Sequence, residues 1–358
     1  MNFDDLKYDL SKNKSKIMLT GAIVVFIISA FLVLKFFGVE LKYDSGSDGS
    51  VSTKYVLATT IIGSNKNGDM NLYDSKTGEV VATNKLEGGN FIYSATSNMK
   101  KVMAYSKDAK TLYEIEPKTK KISVKQVKNF DIGKNKIVNF KYKNGVFVGL
   151  LEGERKLLCV DIKKSKRITI DLKLNSPINN YEITDKNIVF TSGDYIGTAK
   201  IADGKGSKID IGALSLSIHL TKNKLFVHNS FGLDRNKSIL LDINPETLHI
   251  NKAYQFKESR VNMMQTSSES ELLYYSEEFL TSTQGNVKQV FKTIGEDMKN
   301  PAAIMKYISK DSMDRLNSYG YLGYCYYRNL DTLEIFNLRS LETESVLKVH
   351  EDFYMPVY

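Results

Sequence analysis

Four histidines and two cysteines are the side chains of this 358-residue chain best suited to metal binding or nucleophilic chemistry. They are His219, His228, His249, His350, Cys159 and Cys325. His219 and His228 fall on two strands that we expect to be neighbours, but a metal site would need a third ligand. The histidine pattern therefore favours structural or surface roles, and we predict no metal, no cofactor and no catalytic residue.

Other motifs that carry chemistry are absent from the sequence. It contains no Gly-rich phosphate loop, nucleophile elbow or zinc-protease motif. Gly63–Asn71 has the Asp and Asn content of a calcium loop but lacks its spacing and its terminal Glu. The cysteines lie on predicted strands of blades that are not adjacent, so we expect two small buried hydrophobic residues and no disulfide.

Five tyrosines cluster near the C-terminal end. They are Tyr319, Tyr321, Tyr324, Tyr326 and Tyr327. Such rings can offer stacking faces to sugars, but more often they pack inside a fold with their hydroxyls satisfied at its edge. We expect packing.

Positive charge is the remaining candidate for a binding site, because the chain has a formal net charge of +9. Many lysines fall in turns that we expect on one face. The candidate polyanion-binding residues are Lys100, Lys101, Lys118, Lys120, Lys121, Lys163, Lys164, Lys166, Arg167, Lys205 and Lys208. Anionic lipid or an anionic wall polymer would suit them. Nucleic acid is disfavoured, because these turns lack interleaved aromatic residues. The alternative is that lysines keep strand turns soluble and prevent edge pairing.

A hairpin signature that recurs about every 40 residues sets the elements that position these side chains. The clearest copy, Leu72–Val81, alternates apolar residues around a turn in which Gly78 can take a positive φ. Weaker copies centre near residues 120, 166, 206, 247, 285 and 342. This period, with four strands (a to d from the hub outwards) in each unit, predicts an all-β, seven-bladed β-propeller. A pair of tandem β domains is the rival fold.

The two ends of the repeat predict how the ring closes. Tyr55–Ile62 corresponds to strand b of the first blade, and nothing before it supplies strand a. We expect Phe353–Tyr358 to fill that place, although Pro356 is awkward within a strand. Phe279–Val290 is expected to be the c–d hairpin of the sixth blade, and Ile304–Ile308 the inner strand of the seventh.

One hydrophobic stretch precedes the repeat. Ile17–Leu34 is eighteen residues long and uncharged, enough to span a bilayer, and no cleavage site or lipid-attachment cysteine follows. We expect a cytoplasmic tail at 1–16, a transmembrane helix at 17–38, a flexible Gly/Ser-rich linker at 39–54 and the propeller at 55–358. Lysines before the helix favour a single-pass cell-membrane protein with the N-terminus inside and the propeller outside.

The Leu72–Val81 segment resembles the Asp-x-x-Thr-Gly-x-Val hairpin of the quinoprotein-like and surface-layer-type β-propeller repeats. The match is good in one unit and degenerate in the others. The chain has no Trp, so the Trp-docking positions of the quinoproteins are missing. It also lacks their vicinal cysteines and calcium ligands. The resemblance implies a non-enzymatic propeller of the scaffold type.

Two classes of function remain in view. The first is an anchored extracytoplasmic binding or scaffold module in a cell-envelope or secretion assembly, with a protein partner. The second is a hydrolase or lyase acting on a wall polymer or glycan in the axial funnel. Paired carboxylates, His or Tyr at the funnel would favour the enzyme, and a Lys-rich mouth would favour binding. A sensor with a short cytoplasmic tail is a third possibility.

Overall fold

Alternating apolar and polar residues, interrupted by turns, form antiparallel strands throughout the computed structural model. It describes residues 56–96, 98–118, 120–211, 216–222, 224–229, 237–257, 260–263, 273–280, 287–294, 302–306, 319–329, 331–337, 340 and 342–358. The predicted tail, transmembrane helix and linker at 1–54 lie outside these residues. Within the described ranges, no helix is long and apolar enough to cross a membrane.

The structure contains 28 strands in the described residues. The first fifteen are β1 Thr60–Ser64, β2 Asp69–Asp74, β3 Val80–Lys85, β4 Phe91–Ala95, β5 Val102–Ser106, β6 Thr111–Lys118, β7 Lys121–Gln126, β8 Ile137–Lys143, β9 Val146–Leu151, β10 Leu157–Asp161, β11 Lys166–Ile170, β12 Ile178–Ile183, β13 Asn187–Ser192, β14 Tyr195–Lys200 and β15 Gly206–Asp210. The others are β16 Leu216–Leu220, β17 Leu225–Asn229, β18 Lys237–Ile243, β19 Ile250–Lys257, β20 Arg260–Met263, β21 Leu273–Leu280, β22 Val287–Ile294, β23 Ala302–Lys306, β24 Tyr319–Tyr321, β25 Tyr324–Asn329, β26 Thr332–Asn337, β27 Glu342–Lys348 and β28 Phe353–Val357.

These strands pair into seven four-stranded sheets, which we number in chain order. Sheet 1 has the order β28-β1-β2-β3, and sheets 2 to 7 are simple meanders that begin at β4, β8, β12, β16, β20 and β24. Sheet 6 is described mainly by its backbone, and the other six also by the burial of their side chains. The predicted all-β fold is thus present.

Each sheet contacts the next in chain order, and the last returns to the first. Apolar clusters join sheet 7 to sheets 1 and 2, sheet 2 to 3, sheet 3 to 4 and sheet 4 to 5. Strand β18 approaches β20, and β21 approaches β24, which links sheets 5, 6 and 7. A cyclic succession of meander sheets is a β-propeller, so this part of the fold prediction is confirmed.

Burial is greatest on the second strand of each sheet whose side chains are described, whereas the innermost strands β4, β8 and β12 are only partly buried. The second strands β1, β5, β13 and β17 are buried along their whole length, because a neighbouring sheet covers each of their faces. The large hydrophobic residues that remain exposed lie on the outer strands. They are Val80, Val124, Ile250 and Val346. Sheet-on-sheet packing of alternating apolar residues therefore supplies the core.

The C-terminal strand closes sheet 1. Strand β28 pairs with β1 in the register Thr60 opposite Val357 to Ser64 opposite Phe353. Pro356 is tolerated because β28 is an edge strand that needs ladder partners on only one side. The predicted use of Phe353–Tyr358 as the missing inner strand is confirmed.

A buried carboxylate fastens this closure. Glu351, only 4% exposed, precedes β28 and accepts hydrogen bonds from Tyr73 Oη at 2.6 Å and Asn71 Nδ2 at 2.5 Å. Tyr354 Oη donates to its other oxygen at 2.5 Å. Gly63 faces Tyr354 across the β1–β28 pair. Glycine is required at this position, because a Cβ there would lie 2.9 Å from the Tyr354 ring. Charge-assisted hydrogen bonds of this kind are about twice as strong as neutral ones.

The sixth sheet corrects two of the predicted strand positions. The hairpin within Phe279–Val290 joins β21 to β22, the second and third strands, and not the third and fourth. Consequently Ala302–Lys306 is the fourth strand of sheet 6, and the first strand of sheet 7 is Tyr319–Tyr321. Both errors have one cause: b–c and c–d hairpins share the same alternation and turn residues.

Candidate functional site

A cavity of ≈ 440 Å³ follows the innermost strands. Its described lining comes from β4 and the turn after it, and from β8, β12, β16, β24 and β28. Each of these is the first strand of its sheet. The cavity therefore lies on the propeller axis, where a ring of sheets can hold a ligand from several sides.

An ion pair crosses the cavity wall between sheets 3 and 4. Lys141 Nζ donates a short hydrogen bond to Glu182 Oε1, and both side chains are largely buried. Two residues further along β8, on the same side of the strand, Lys143 Nζ lies 3.0 Å from Asp185 Oδ1. Lys141 is thus neutralised by a carboxylate on the next sheet, and Lys143 by one in the exposed turn between β12 and β13.

Two asparagines occupy equivalent positions in neighbouring sheets. A β-bulge precedes Asn139 on β8 and Asn180 on β12. Each side-chain oxygen accepts a hydrogen bond from the next backbone N–H, at 2.7 Å and 2.8 Å respectively. Asn180 Nδ2 also donates to Ile218 O at 3.4 Å. The bulge turns these amides towards the axis, as bulges commonly re-aim side chains.

His219 brings an imidazole to the cavity from β16. Burial lowers its pKa to about 3, and the positive charge of Lys141 and the proximity of His228 act in the same direction. The ring is therefore neutral at physiological pH, with one nitrogen as donor and the other as acceptor.

Aromatic rings cover another part of the wall. Tyr93 stacks on Phe353 with ring centroids 5.4 Å apart, and its hydroxyl donates to Asn65 O at 2.7 Å. Tyr319, at the start of β24, is 2% exposed. Its hydroxyl has no hydrogen-bond partner in the part of the chain that the structure describes, and burial raises its pKa.

The cavity thus offers amides, a neutral imidazole, phenols and internally neutralised charges. Glu182 is the single carboxylate in the described lining, and Lys141 occupies one of its oxygens. Hydrolysis of a glycoside uses two carboxylates on opposite sides of the bond. The described lining thus lacks a second carboxylate, but it contains His219 and tyrosines such as Tyr93 and Tyr319, the side-chain types that would favour an enzyme.

The predicted polyanion-binding residues lie in or beside a–b and c–d turns. These turns are at the end of each sheet that is opposite to the b–c turns. Lys100 and Lys101 follow β4, while the remaining nine flank the c–d turns of sheets 2, 3 and 4. Five of the eleven are exposed and make no ion pair within the described residues. They are Lys100, Lys120, Lys121, Lys163 and Lys205.

The other six have partners that reduce their availability. Lys101, Lys118 and Lys164 pair with Glu114, Glu116 and Asp161. Arg167 Nη1 lies 2.9 Å from Asp131, in the loop before β8. Lys166 donates to Ala202 O, and Lys208 lies over the Tyr195 ring. The charged surface is consequently smaller than the sequence indicated.

The remaining predicted residues are structural. Cys159 on β10 and Cys325 on β25 are free and buried, as predicted, and burial raises the pKa of Cys159 to about 11. His228 is buried on β17, diagonally across from His219. No three metal-ligating side chains cluster within the described ranges. Most of the C-terminal tyrosines pack in the core, also as predicted, although Tyr319 lines the cavity.

Sequence reasoning missed most of the cavity residues. One signal was present: Ile137-Val-Asn-Phe-Lys and Ile178-Asn-Asn-Tyr-Glu share an Ile-x-Asn-aromatic-charged pattern. It marks the bulge and the inward-facing ion pair in sheets 3 and 4. The shared pattern becomes meaningful only when the two strands are known to lie side by side.

No protein-family model and no curated protein matches this sequence. Solved structures do match its fold. A variant of Kluyveromyces lactis Hsv2 with loop 6CD replaced by a Gly-Ser linker aligns with a TM-score of 0.53 and 11% identity, over 72% of this chain and 80% of that one. Apo AztD from Citrobacter koseri gives 0.51 and 12%, over 83% and 84%.

A third structure, dihydro-heme d1 dehydrogenase NirN in complex with DHE, aligns with a TM-score of 0.47 and 11% identity over 82% of this chain. The chain spans 64% of the length of that protein. At these identities the likeness concerns the fold alone. The chain therefore has a β-propeller fold.

Proposed function

We propose that this chain is a membrane-anchored extracytoplasmic β-propeller that acts as a binding or scaffold module in a cell-envelope or secretion assembly. Its seven sheets are the seven blades of the ring. The axial cavity carries the proposal: its described wall presents hydrogen-bonding groups, and its carboxylate is tied to Lys141. A hydrolase or lyase acting on wall polymer is the alternative.

The five free lysines form a second, weaker contact surface in this proposal. We call Lys100, Lys120, Lys121, Lys163 and Lys205 the basic turn face. Their unpaired ammonium groups would attract an anionic lipid surface or wall polymer, at about 1 kcal/mol for each lysine close to an anionic membrane. This attraction would weaken with salt, because exposed charges are screened within about 8–10 Å.

A matched pair of variants tests this surface. Changing the five lysines to Gln should weaken binding to phosphatidylglycerol vesicles. The same change at Lys66, Lys107, Lys110, Lys128 and Lys134, which lie in b–c and d–a loops, should leave binding unchanged. Equal losses in both variants, or binding that persists at high salt, would remove the basic turn face from the proposal.

The anchor is proposed from the uncharged stretch Ile17–Leu34 and the lysines before it. Its orientation can be read by labelling engineered cysteines in intact cells with a membrane-impermeant maleimide. The exposed Glu79→Cys should react from outside, and Asn13→Cys only after lysis. The native thiols stay silent because both are buried. The reverse labelling pattern would place the propeller inside.

Crosslinking of the intact chain in its native membrane, followed by purification, tests the binding function. We expect the same partner or polymer to be recovered with the wild type and with the control variant in which the five lysines of the b–c and d–a loops are changed to Gln. Recovery of nothing, combined with cleavage of wall glycan by the purified chain, would replace the scaffold function with the enzymatic alternative.

A further inference from the structure

We infer that the axial cavity binds a neutral polyhydroxylated ligand, a sugar unit of a glycan. The inference rests on the proposed binding function and deepens it by naming the class of ligand. Four features of the described wall support it: an unsatisfied hydroxyl, a set of two-way hydrogen-bonding groups, a stacked aromatic pair and charges that are already compensated.

The Tyr319 hydroxyl is the first feature. It is buried, lines the cavity and lacks a partner among the described residues. An unmade hydrogen bond of a buried polar group costs roughly 1–3 kcal/mol, and such groups are rare in native proteins. The oxygen itself has less than 1 Å² of exposed surface, so a ligand hydroxyl would supply the missing bond once the Tyr319 ring shifts towards the cavity on binding.

The second feature is the mixture of donors and acceptors. Asn139 and Asn179 are exposed to the cavity, and the Asn139 amide nitrogen has no partner in the described chain. Neutral His219 can donate and accept. Sugar hydroxyls also donate and accept, so the two sets are complementary, whereas a simple anion could use only the donors.

The third feature is the Tyr93–Phe353 pair, whose rings stack at 5.4 Å on one side of the cavity. A pyranose ring has an apolar face of C–H groups beside its hydroxyls. An aromatic surface next to amides matches both parts of such a ring, because aromatic side chains bury large apolar areas at small entropic cost.

The fourth feature is charge. Lys141 is bonded to Glu182, and Lys143 is paired with Asp185 at 3.0 Å. An anionic ligand would have to compete with these carboxylates for the ammonium groups, and a cation would compete with the lysines. A neutral ligand leaves both pairs intact, so its affinity should not depend on salt.

Calorimetric titration of the full chain in nanodiscs tests the inference. The probes are neutral oligosaccharides (the N-acetylglucosamine trimer, maltotriose and mannotriose) and, separately, inorganic phosphate, each at low and high salt. We expect at least one oligosaccharide to bind equally at both salt concentrations. Tyr319→Phe and Asn139→Ala should each weaken that binding by about two- to tenfold, the equivalent of one hydrogen bond.

Tyr105→Phe is the matched control, because Tyr105 is equally buried but is not itself a lining residue. It packs against Phe130, Phe140 and Phe147, of which only Phe140 lines the cavity. It should leave sugar binding unchanged. The thermal unfolding midpoint of Tyr319→Phe should be no lower than that of the wild type, because the substitution removes an unsatisfied hydroxyl.

The inference is overturned if no oligosaccharide binds, if phosphate binds in place of sugar, or if Tyr319→Phe and Tyr105→Phe have the same effect. In any of these cases, continued recovery of a partner by crosslinking would leave the proposed binding function standing. If neither sugar binding nor recovery of a partner by crosslinking is observed, the proposed binding function is overturned as well.

Discussion

Tyr73 Oη donates a hydrogen bond to Glu351 Oε1 at 2.6 Å, although 278 residues separate the two in the chain. Tyr73 belongs to β2, and Glu351 precedes the strand that enters the same sheet from the opposite end of the sequence. The bond therefore joins the beginning of the propeller to its end, and it is buried where water cannot replace it.

Glu351→Ala should destabilise the fold by about 2–4 kcal/mol, because it leaves the Tyr73, Asn71 and Tyr354 donors without an acceptor. Urea unfolding followed by tyrosine fluorescence measures the loss. Glu79→Ala, at an exposed carboxylate on the same sheet, is the control and should cost less than about 0.5 kcal/mol. A loss of that small size in Glu351→Ala would show that the buried network is not stabilising.

Stability should also fall in acid through the same residue. Burial alone would raise the pKa of Glu351, but hydrogen bonds from Tyr354, Tyr73 and Asn71 outweigh it and hold the pKa below its ordinary 4.5. A depressed carboxyl pKa stabilises the fold above the unfolded value of 4.5, and that contribution is lost as pH falls through the folded pKa. The stability difference between wild type and Glu351→Gln should therefore shrink below pH 4.5. A difference that stays constant across this range would contradict the linkage.

Deleting residues 353–358 should abolish cooperative unfolding or cause aggregation, because the edge of β1 would lose its partner. The milder Met355→Asp, which puts a charge at a fully buried position of β28, should lower the unfolding midpoint strongly. A truncated chain that remains monomeric and unfolds at the wild-type temperature would mean that β28 is dispensable.

Glu182→Gln should change the ligand preference of the axial cavity. It removes the carboxylate that neutralises Lys141 and leaves an uncompensated ammonium in a partly buried site. The variant should bind inorganic phosphate measurably in calorimetry, whereas the wild type should not. The double variant Lys141→Met with Glu182→Gln restores neutrality and should lose phosphate binding again. Phosphate binding that is the same in all three proteins would show that the ion pair does not set the charge of the cavity.

The sequence predicts much of the fold, because the propeller is built from local hairpins. Alternation around Gly78 marks the β2–β3 hairpin, where the glycine takes φ +73° as expected. The closing strand Phe353–Val357 was also predictable. Counting the strands leaves the first blade one short and one strand unused after the last blade. The sixth sheet was misassigned because residues 281–286 have the sequence composition expected of a c–d turn. Alternation alone does not show which strand of a sheet a segment forms.

The site was less predictable. Alternation shows which residues of β8 avoid solvent, but it does not show that Lys141 meets Glu182 on another sheet, 41 residues later. Glu351 lies outside every repeat, so no periodic pattern marks it as buried. The lysine-rich turns were visible in the sequence, whereas their ion pairs depend on tertiary contacts such as Arg167 with Asp131.

Photocrosslinking from the axial cavity tests the central claim, that this propeller binds a ligand on its axis, most directly. A photoreactive residue is placed at Asn139 in the full chain in its native membrane, and a second chain carries it at the exposed Glu79 as control. We predict a defined adduct from position 139 that is absent from position 79, and no cleavage of wall glycan by the purified chain. Identical products from both positions, together with glycan cleavage, would contradict the account.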